Sequence, residues 1–264
     1  MGARLTIRRF IRSELMSLSL ALSAAAPLSA QIPSEAMLAG LQFRTIGPAT
    51  MSGRLVDIAV VEANPYTYYI ASATGGVWKT TNNGITFRPV FDKEATHSVG
   101  DIAVHQIDTN VVWVGTGERA NRQSSSWGDG VYRSTNGGRT WDNMGLHDSH
   151  HIGRIVMHPA NSDVVYVAAM GHLWGPNEER GLYMSEDGGE TWTRTLYTDE
   201  STGVVDVAID PVEPNVLYAA TYQRRRRPYG FHGGGPGSGL HKSTDGGRTW
   251  RELTNGLPEG DKGR

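Results

Sequence analysis

Ser185-Glu186-Asp187-Gly188-Gly189-Glu190-Thr191-Trp192 and Ser243-Thr244-Asp245-Gly246-Gly247-Arg248-Thr249-Trp250 are two copies of one octet. Ser134-Thr135-Asn136-Gly137-Gly138-Arg139-Thr140-Trp141 is a third, and Thr80-Thr81-Asn82-Asn83-Gly84-Ile85-Thr86-Phe87 a fourth. Their starts lie 54, 51 and 58 residues apart. A period near 50 marks a propeller or a solenoid. Each octet reads as a hairpin turn. The amide or carboxylate at its third position (Asn82, Asn136, Asp187, Asp245) is placed to accept bonds from N–H groups of the turn. Glycine at the fifth position supplies the positive φ that a tight turn requires. The closing Trp or Phe is expected to be a strand residue buried between layers.

Working outward, two apolar, β-branched runs precede every octet: 55–61 and 68–73, 99–104 and 111–115, 152–157 and 164–169, 204–209 and 216–220. Asn- and Pro-containing turns separate the members of each pair. A short third strand (77–79, 131–133, 182–184, 240–242) leads into each octet, and a fourth begins at its closing aromatic. Four strands per repeat predict an all-β fold, a β-propeller of four-stranded antiparallel blades. Glycine is abundant, at 33 of 264 residues, as many tight turns demand. No stretch after residue 40 reads as a long amphipathic helix.

The first thirty residues carry an address. Arg4, Arg8, Arg9 and Arg12 precede an apolar run over 15–26, which ends in Pro27-Leu28-Ser29-Ala30. This is the basic, apolar, small-residue layout of a signal peptide. The predicted division is signal peptide 1–30, lead-in 31–52 and propeller 53–264. It implies export to the periplasm, cell envelope or medium. The apolar run is short for a membrane span, which needs about 20 residues. Removing 1–30 takes the formal net charge from −2 to −5, which argues against nucleic acid as a partner. The chain has no cysteine, which excludes a disulfide framework, a thiolate metal site and a cysteine nucleophile.

The four octets resemble the Asp-box, or BNR, repeat family. Gly115-Thr116-Gly117-Glu118 and Trp127-Gly128-Asp129-Gly130-Val131-Tyr132 extend the likeness to exported bacterial proteins of the sortilin N-terminal and glycosyl-hydrolase-like kind. So do Gly47-Pro48 and Ser52-Gly53-Arg54. The resemblance implies a propeller of more than four blades, so these four are expected to need further blades or a partner to close. It also implies that the protein, if an enzyme, is a glycoside hydrolase. Xyloglucanase-type propellers place a catalytic Asp before the turn that follows the second strand, and Ala73 stands there in this sequence. The sequence therefore names no catalytic residue. Three readings stay open: a module binding protein, peptide or glycan, a carbohydrate-active hydrolase, and a structural repeat of a larger envelope protein.

Insertions collect on the rim opposite the octets, at 118–129, 171–180 and 222–238. Long loops gathered on one face of a repeat array mark its binding face. The candidate ligand-binding residues are Glu118, Asn121, Arg122, Trp127 and Asp129 from the first loop, and His172 and Trp174 from the second. Indole beside charge and amide suits sugars and peptides, and it equally suits a loop packed on itself. His147, Asp148, His150 and His151 read as a hydrogen-bonded connector, so no metal and no cofactor is expected. Arg224 to Arg227 reads as a solvated basic run. Asp57, Asp101, Arg154 and Asp206 occupy matching places on the innermost strands. They are expected to face the channel mouth or to bond backbone inside the blades.

The first thirty residues generate one expectation. Mass spectrometry of the protein recovered from its natural host should find Gln31 at the N-terminus. A protein that keeps Met1 in the cytosolic fraction would refute export.

Overall fold

The computed structural model describes residues 53–258, 260, 262 and 263. The predicted signal peptide and lead-in lie outside them, as do Gly47-Pro48 and Ser52. The described chain forms four antiparallel sheets. The first is β1 (Leu55–Val60), β2 (Tyr68–Ser72), β3 (Gly76–Thr80) and β4 (Arg88–Pro89). The second is β5 (Val99–Val104), β6 (Val112–Thr116), β7 (Val131–Ser134) and β8 (Asp142–Asn143). The third is β9 (Ile152–His158), β10 (Asn161–Ala169), β11 (Gly181–Ser185) and β12 (Thr193–Leu196). The fourth joins β13 (Thr202–Ile209), β14 (Leu217–Arg227), β16 (Gly239–Ser243) and β17 (Arg251–Leu253), with β15 (Gly230–Gly233) paired to the far end of β14. These are propeller blades. β1 packs on β5, β5 on β9 and β9 on β13. Among the described strands β13 has no comparable packing on β1, so the array of described blades is open.

The core lies between blades. Tyr69, Ala71, Val112 and Val114 fill the first interface, Trp113, Ile155, Val165 and Val167 the second, and Tyr166, Ala168, Leu182 and Val207 the third. Every residue of β6 is buried. A strand covered on both faces shows a continuous apolar run and no alternation.

The octets close their hairpins with a repeated bond set. The first-position hydroxyl accepts from the fifth-position N–H: Gly84 to Thr80 at 3.0 Å, Gly138 to Ser134 at 2.9 Å, Gly189 to Ser185 at 2.8 Å and Gly247 to Ser243 at 2.9 Å. Those four hydroxyl residues are buried, a feature that the sequence reading did not single out. The third-position oxygen accepts the N–H of the seventh residue, as from Thr86 to Asn82 and from Thr191 to Asp187. Asp187 Oδ2 also accepts the Thr191 hydroxyl at 2.6 Å, whereas Asn136 donates Nδ2 to Thr140 Oγ1 at 2.6 Å. Either side chain fits because the threonine hydroxyl can donate or accept. The fourth position also takes positive φ, with Asn83 at 57° where the other octets carry glycine. Asparagine tolerates that region better than other side-chain-bearing residues.

The closing aromatics differ from expectation. Trp141 is 9% exposed, Trp192 and Trp250 are half-buried, and Phe87 is 37% exposed. All four stand one residue ahead of the outermost strand. The indoles there reach the preceding blade. Trp141 Nε1 donates to Val90 O and Trp192 Nε1 to Met144 O, both at 2.7 Å, and Trp250 Nε1 lies 3.3 Å from Thr195 Oγ1. Phe87, in the first described blade, instead meets Tyr68 edge-on at 5.9 Å. A half-exposed Trp suits this place because its N–H needs a partner while its ring covers a seam.

The basic run is also corrected. Arg224 is buried, and Arg225 to Arg227 are half-buried. The insertion is a hairpin: Arg224 pairs with Gly233 and Arg227 with Gly230. Alternation along that strand turns Arg224 and Arg226 toward the neighbouring loops.

The hydrogen bonds from Thr191 hold the Asp187 carboxyl down at about 2. A depressed acid stabilises the fold above its unfolded pKa and loses that contribution as pH falls through the folded one. Asp187→Ala should therefore lower Tm at pH 7, and Asp187→Asn should lower it less because the acceptor remains. The gap between wild type and the Asn variant should shrink from about pH 4 to about pH 2, by thermal melts followed with circular dichroism. Equal melting of the Ala and Asn variants would contradict this account.

Candidate functional site

The channel-facing strands share one irregularity. Register shifts fall between Leu55 and Asp57, Val99 and Asp101, and Val204 and Asp206, and opposite Ala168 and Ala169 in β10. Each inner strand thus carries a bulge at Val56, Gly100, Gly153 or Val205, one residue ahead of the charged column. A bulge breaks the ladder and re-aims the next side chain. Here it sends that side chain to the following blade. Asp57 Oδ2 accepts Ile102 N at 3.4 Å, and Asp101 Oδ2 accepts Ile155 N at 2.8 Å. The third blade has Arg154 in this place, so Val207 N has no carboxylate from that side and turns to Asp206 Oδ1, at 3.0 Å. Asp57 and Asp101 thus bond backbone as one of the sequence-derived options has it, but on a strand of the next blade and not inside their own. A Cβ on Gly100 would lie 2.2 Å from Ile152 O, and one on Gly153 would lie 2.3 Å from Val205 O. The bulges are that close to the next blade.

Arg154 draws the column together. Its Nη1 lies 3.4 Å from Asp101 Oδ1 and 4.0 Å from Asp57 Oδ2, and its Nε lies 3.1 Å from Asp206 Oδ1. Burial pushes the Asp101 carboxyl well up, against the pull of Arg154 and Arg119. Arg119, from the first insertion, crosses the same axis. Its Nη2 donates to Val56 O at 2.7 Å, and its Nη1 donates to Gly153 O at 3.3 Å and lies 3.6 Å from Asp101 Oδ1. One guanidinium therefore contacts three blades. Arg119, Arg154, Asp206, Tyr222 and Lys262 help to line a cleft of about 460 Å³.

The first insertion reaches from the second blade to the fourth. Asn121 Oδ1 accepts Arg224 Nη1 at 2.8 Å, its Nδ2 donates to Tyr222 Oη at 3.1 Å, and its carbonyl accepts from Arg226. Glu118 is fully buried. Its Oε1 pairs with Arg54, and its Oε2 has no hydrogen-bond partner among the described residues. Asp129 accepts from Tyr132 Oη at 3.0 Å and faces His147 Nδ1 at 2.7 Å. His151 is buried with Nδ1 2.8 Å from Glu118 O, and burial near Arg224 keeps its imidazole neutral by lowering its pKa. Of the residues put forward in this loop, Arg122 and Trp127 are exposed, while Glu118 and Asn121 are engaged inside the protein.

The second insertion is built around Arg180, which is fully buried. Its guanidinium donates to the carbonyls of Met170, His172, Gly175 and Ser201, and burial lowers its pKa to about 10. The loop presents Trp174, 43% exposed, and the half-buried His172. Trp127, His150 and His172 form one stack, with ring centroids 5.6 Å and then 3.5 Å apart. The rim thus combines Trp127, 65% exposed, with imidazoles, Arg122 and Asp148. Arg119 and Arg180 lie in the insertions 118–129 and 171–180, and nothing in the sequence singles out their inward anchoring. Charge and spacing alone do not distinguish an arginine facing carbonyls from one facing water.

Residues 129–259 match the family model described as sortilin-Vps10, sortilin, neurotensin receptor 3. Xyloglucanase Xgh74A of Acetivibrio thermocellus is 26% identical, over 79% of this chain and 26% of the enzyme. An ancestral GH74 enzyme superposes with a TM-score of 0.59 at 23% identity, over 78% of this chain and 25% of that one. The GH74 xyloglucanase from Xanthomonas campestris gives 0.54 at 19% identity, over 75% and 29%. The chain spans about a quarter of the length of the xyloglucanases that it matches. Its fold is the propeller type of these enzymes.

The buried Asp101 carboxyl lies beside two cations, Arg154 and Arg119. Arg154→Ala strips the buried carboxylate of one of its two cations. The cost should be about 2 kcal/mol, below the usual figure for a broken buried pair, because Arg154 is one-third exposed and Arg119 remains. Urea unfolding measures it, and an unchanged midpoint would show that Arg119 alone suffices.

Proposed function

We propose that this chain is an exported propeller module that binds carbohydrate on its looped rim. The observation that carries this reading is the pair of exposed indoles, Trp127 and Trp174, on one rim in loops held by buried arginines. Flat apolar faces fixed among polar side chains suit the CH faces and hydroxyls of sugars. Rigid loops lower the ordering cost of binding. The likeness to xyloglucanases supports a carbohydrate and suggests the first probe, while the sortilin-type match supports a protein or peptide ligand as the competing occupant. The basic, apolar, small-residue start supports export. Among the described residues no helix is long and apolar enough to cross a membrane.

A hydrolytic reading is favoured by the same relatives. It requires two carboxylates about 5–9.5 Å apart across the scissile bond. Ala73 is buried before the turn where the resemblance implies one of them, and Glu118 is sealed beneath the rim. The rim indoles favour binding over hydrolysis in this part of the protein.

Calorimetry with xyloglucan oligosaccharides, alongside a glycan array, tests the proposal. Trp127→Ala and Trp174→Ala should each weaken binding about tenfold, with unchanged circular dichroism, as loss of an aromatic anchor does. Failure of the wild type to bind any glycan, or unaltered affinity in both variants, would defeat it. New reducing ends released from xyloglucan would decide for the hydrolase.

A further inference from the structure

In sequence His147, Asp148, His150 and His151 read as one hydrogen-bonded connector between the second and third blades. The fold takes it apart. His147 turns to Asp129, and His151 turns inward to Glu118 O. Asp148 and His150 remain together on the rim, and the second insertion brings His172 to them. One potential ligand atom from each of Asp148, His150 and His172 lies within 4.8 Å of the other two. Both imidazole Nε2 atoms face the same carboxylate oxygen: Asp148 Oδ1 is 2.9 Å from His172 Nε2 and 3.7 Å from His150 Nε2. The first distance is a hydrogen bond and the second is too long for one. His150 therefore directs into the cluster a nitrogen that the hydrogen bonding does not use.

We propose that Asp148, His150 and His172 bind a transition-metal dication of the zinc class, with an open coordination position toward solvent. Two imidazoles and one carboxylate are a donor set for zinc, nickel or copper, whereas calcium and magnesium select oxygen ligands. Three protein ligands leave a fourth place for water or a ligand group. Tetrahedral bonds of about 2.0–2.1 Å put ligand atoms about 3.4 Å apart, so Asp148 and His172 must part by about 0.5 Å while His150 draws in toward them. The surroundings hold the ligands near that geometry. Asn177 Oδ1 accepts His172 N at 2.8 Å, and its Nδ2 donates to Asp148 O at 2.9 Å, which ties the two segments together. Such supporting bonds orient metal ligands. His150 sits at φ 57° between Trp127 and His172, and the two imidazole rings are 3.5 Å apart. The side chains are 63%, 28% and 26% exposed for Asp148, His150 and His172, so an ion can reach them.

The test uses the metal alone on the full chain, so its outcome is separate from that of the carbohydrate reading. After treatment with EDTA, calorimetry with zinc chloride should show one saturable site per chain. Melting should rise with zinc and fall back on adding EDTA, because binding to the folded state alone stabilises it. Asp148→Asn, His150→Ala and His172→Ala should each weaken zinc at least about tenfold, the loss being no smaller than for a ligand's supporting residue. His232→Ala, at an exposed position of β15, should leave zinc affinity unchanged. Circular dichroism verifies the fold of each variant, and the isosteric Asp148→Asn keeps the test decisive if a histidine variant misfolds. The proposal falls if the wild type shows no saturable zinc binding, or if well-folded Asp148→Asn and His172→Ala bind zinc as tightly as wild type.

Discussion

A carboxylate leaving its own blade to accept an N–H from the next is the contact on which the described array depends. Asp57 does this for Ile102, and Asp101 for Ile155. Each bond requires a bulge on the strand that carries the carboxylate and an N–H presented at a matching level on the next blade. That requirement accounts for the bulges ahead of Asp57 and Asp101, and the same irregularity recurs ahead of Arg154 and Asp206, which make no such bond. Two of the bulges are glycines whose absent Cβ atoms make room for the carbonyls of the next blade. Burying Asp101 costs solvation, and the cations Arg119 and Arg154 offset part of that cost. The channel end of the wedge is therefore fixed in angle as well as in contact.

The outer end is fixed differently. The tryptophan after each of the last three octets reaches the preceding blade with its indole N–H, so the octet closes a hairpin and also bridges a seam. With both ends of the inter-blade seam tied, the β-branched side chains between them pack on two sheets at once. The first-, third- and seventh-position side chains of the octets are engaged in this local bonding. The opposite rim carries no such repeated duty, which frees its loops to vary in length and chemistry.

Those loops are nevertheless not loose. Arg180 holds one around its guanidinium, Asn121 carries another across to the fourth blade, and the hairpin of β14 and β15 receives it. The exposed indoles and the imidazole stack are thus presented by a scaffold whose own polar groups point inward. This division of labour separates residues that shape the rim, such as Glu118 and Asn121, from residues that meet solvent, such as Arg122, Trp127 and Trp174.

The sequence by itself determined the repeat, the strand count and the side of each blade on which turns and insertions fall. Those properties depend on local chemistry: glycine at positive φ, an acceptor over a turn, and β-branched runs of strand length. It also marked the column of Asp57, Asp101, Arg154 and Asp206, because the repeat register aligns them. Only the tertiary structure decided what the charged residues face. Arg119, Arg180 and Arg224 look alike in sequence to solvated arginines, and they turn inward because another blade or loop brings carbonyls and an amide to them. The partnership of Asp148 and His150 with His172 likewise required the fold. A connector and a loop on successive blades meet only when the wedge angle, set by bulges that sequence periodicity does not reveal, brings their rims together.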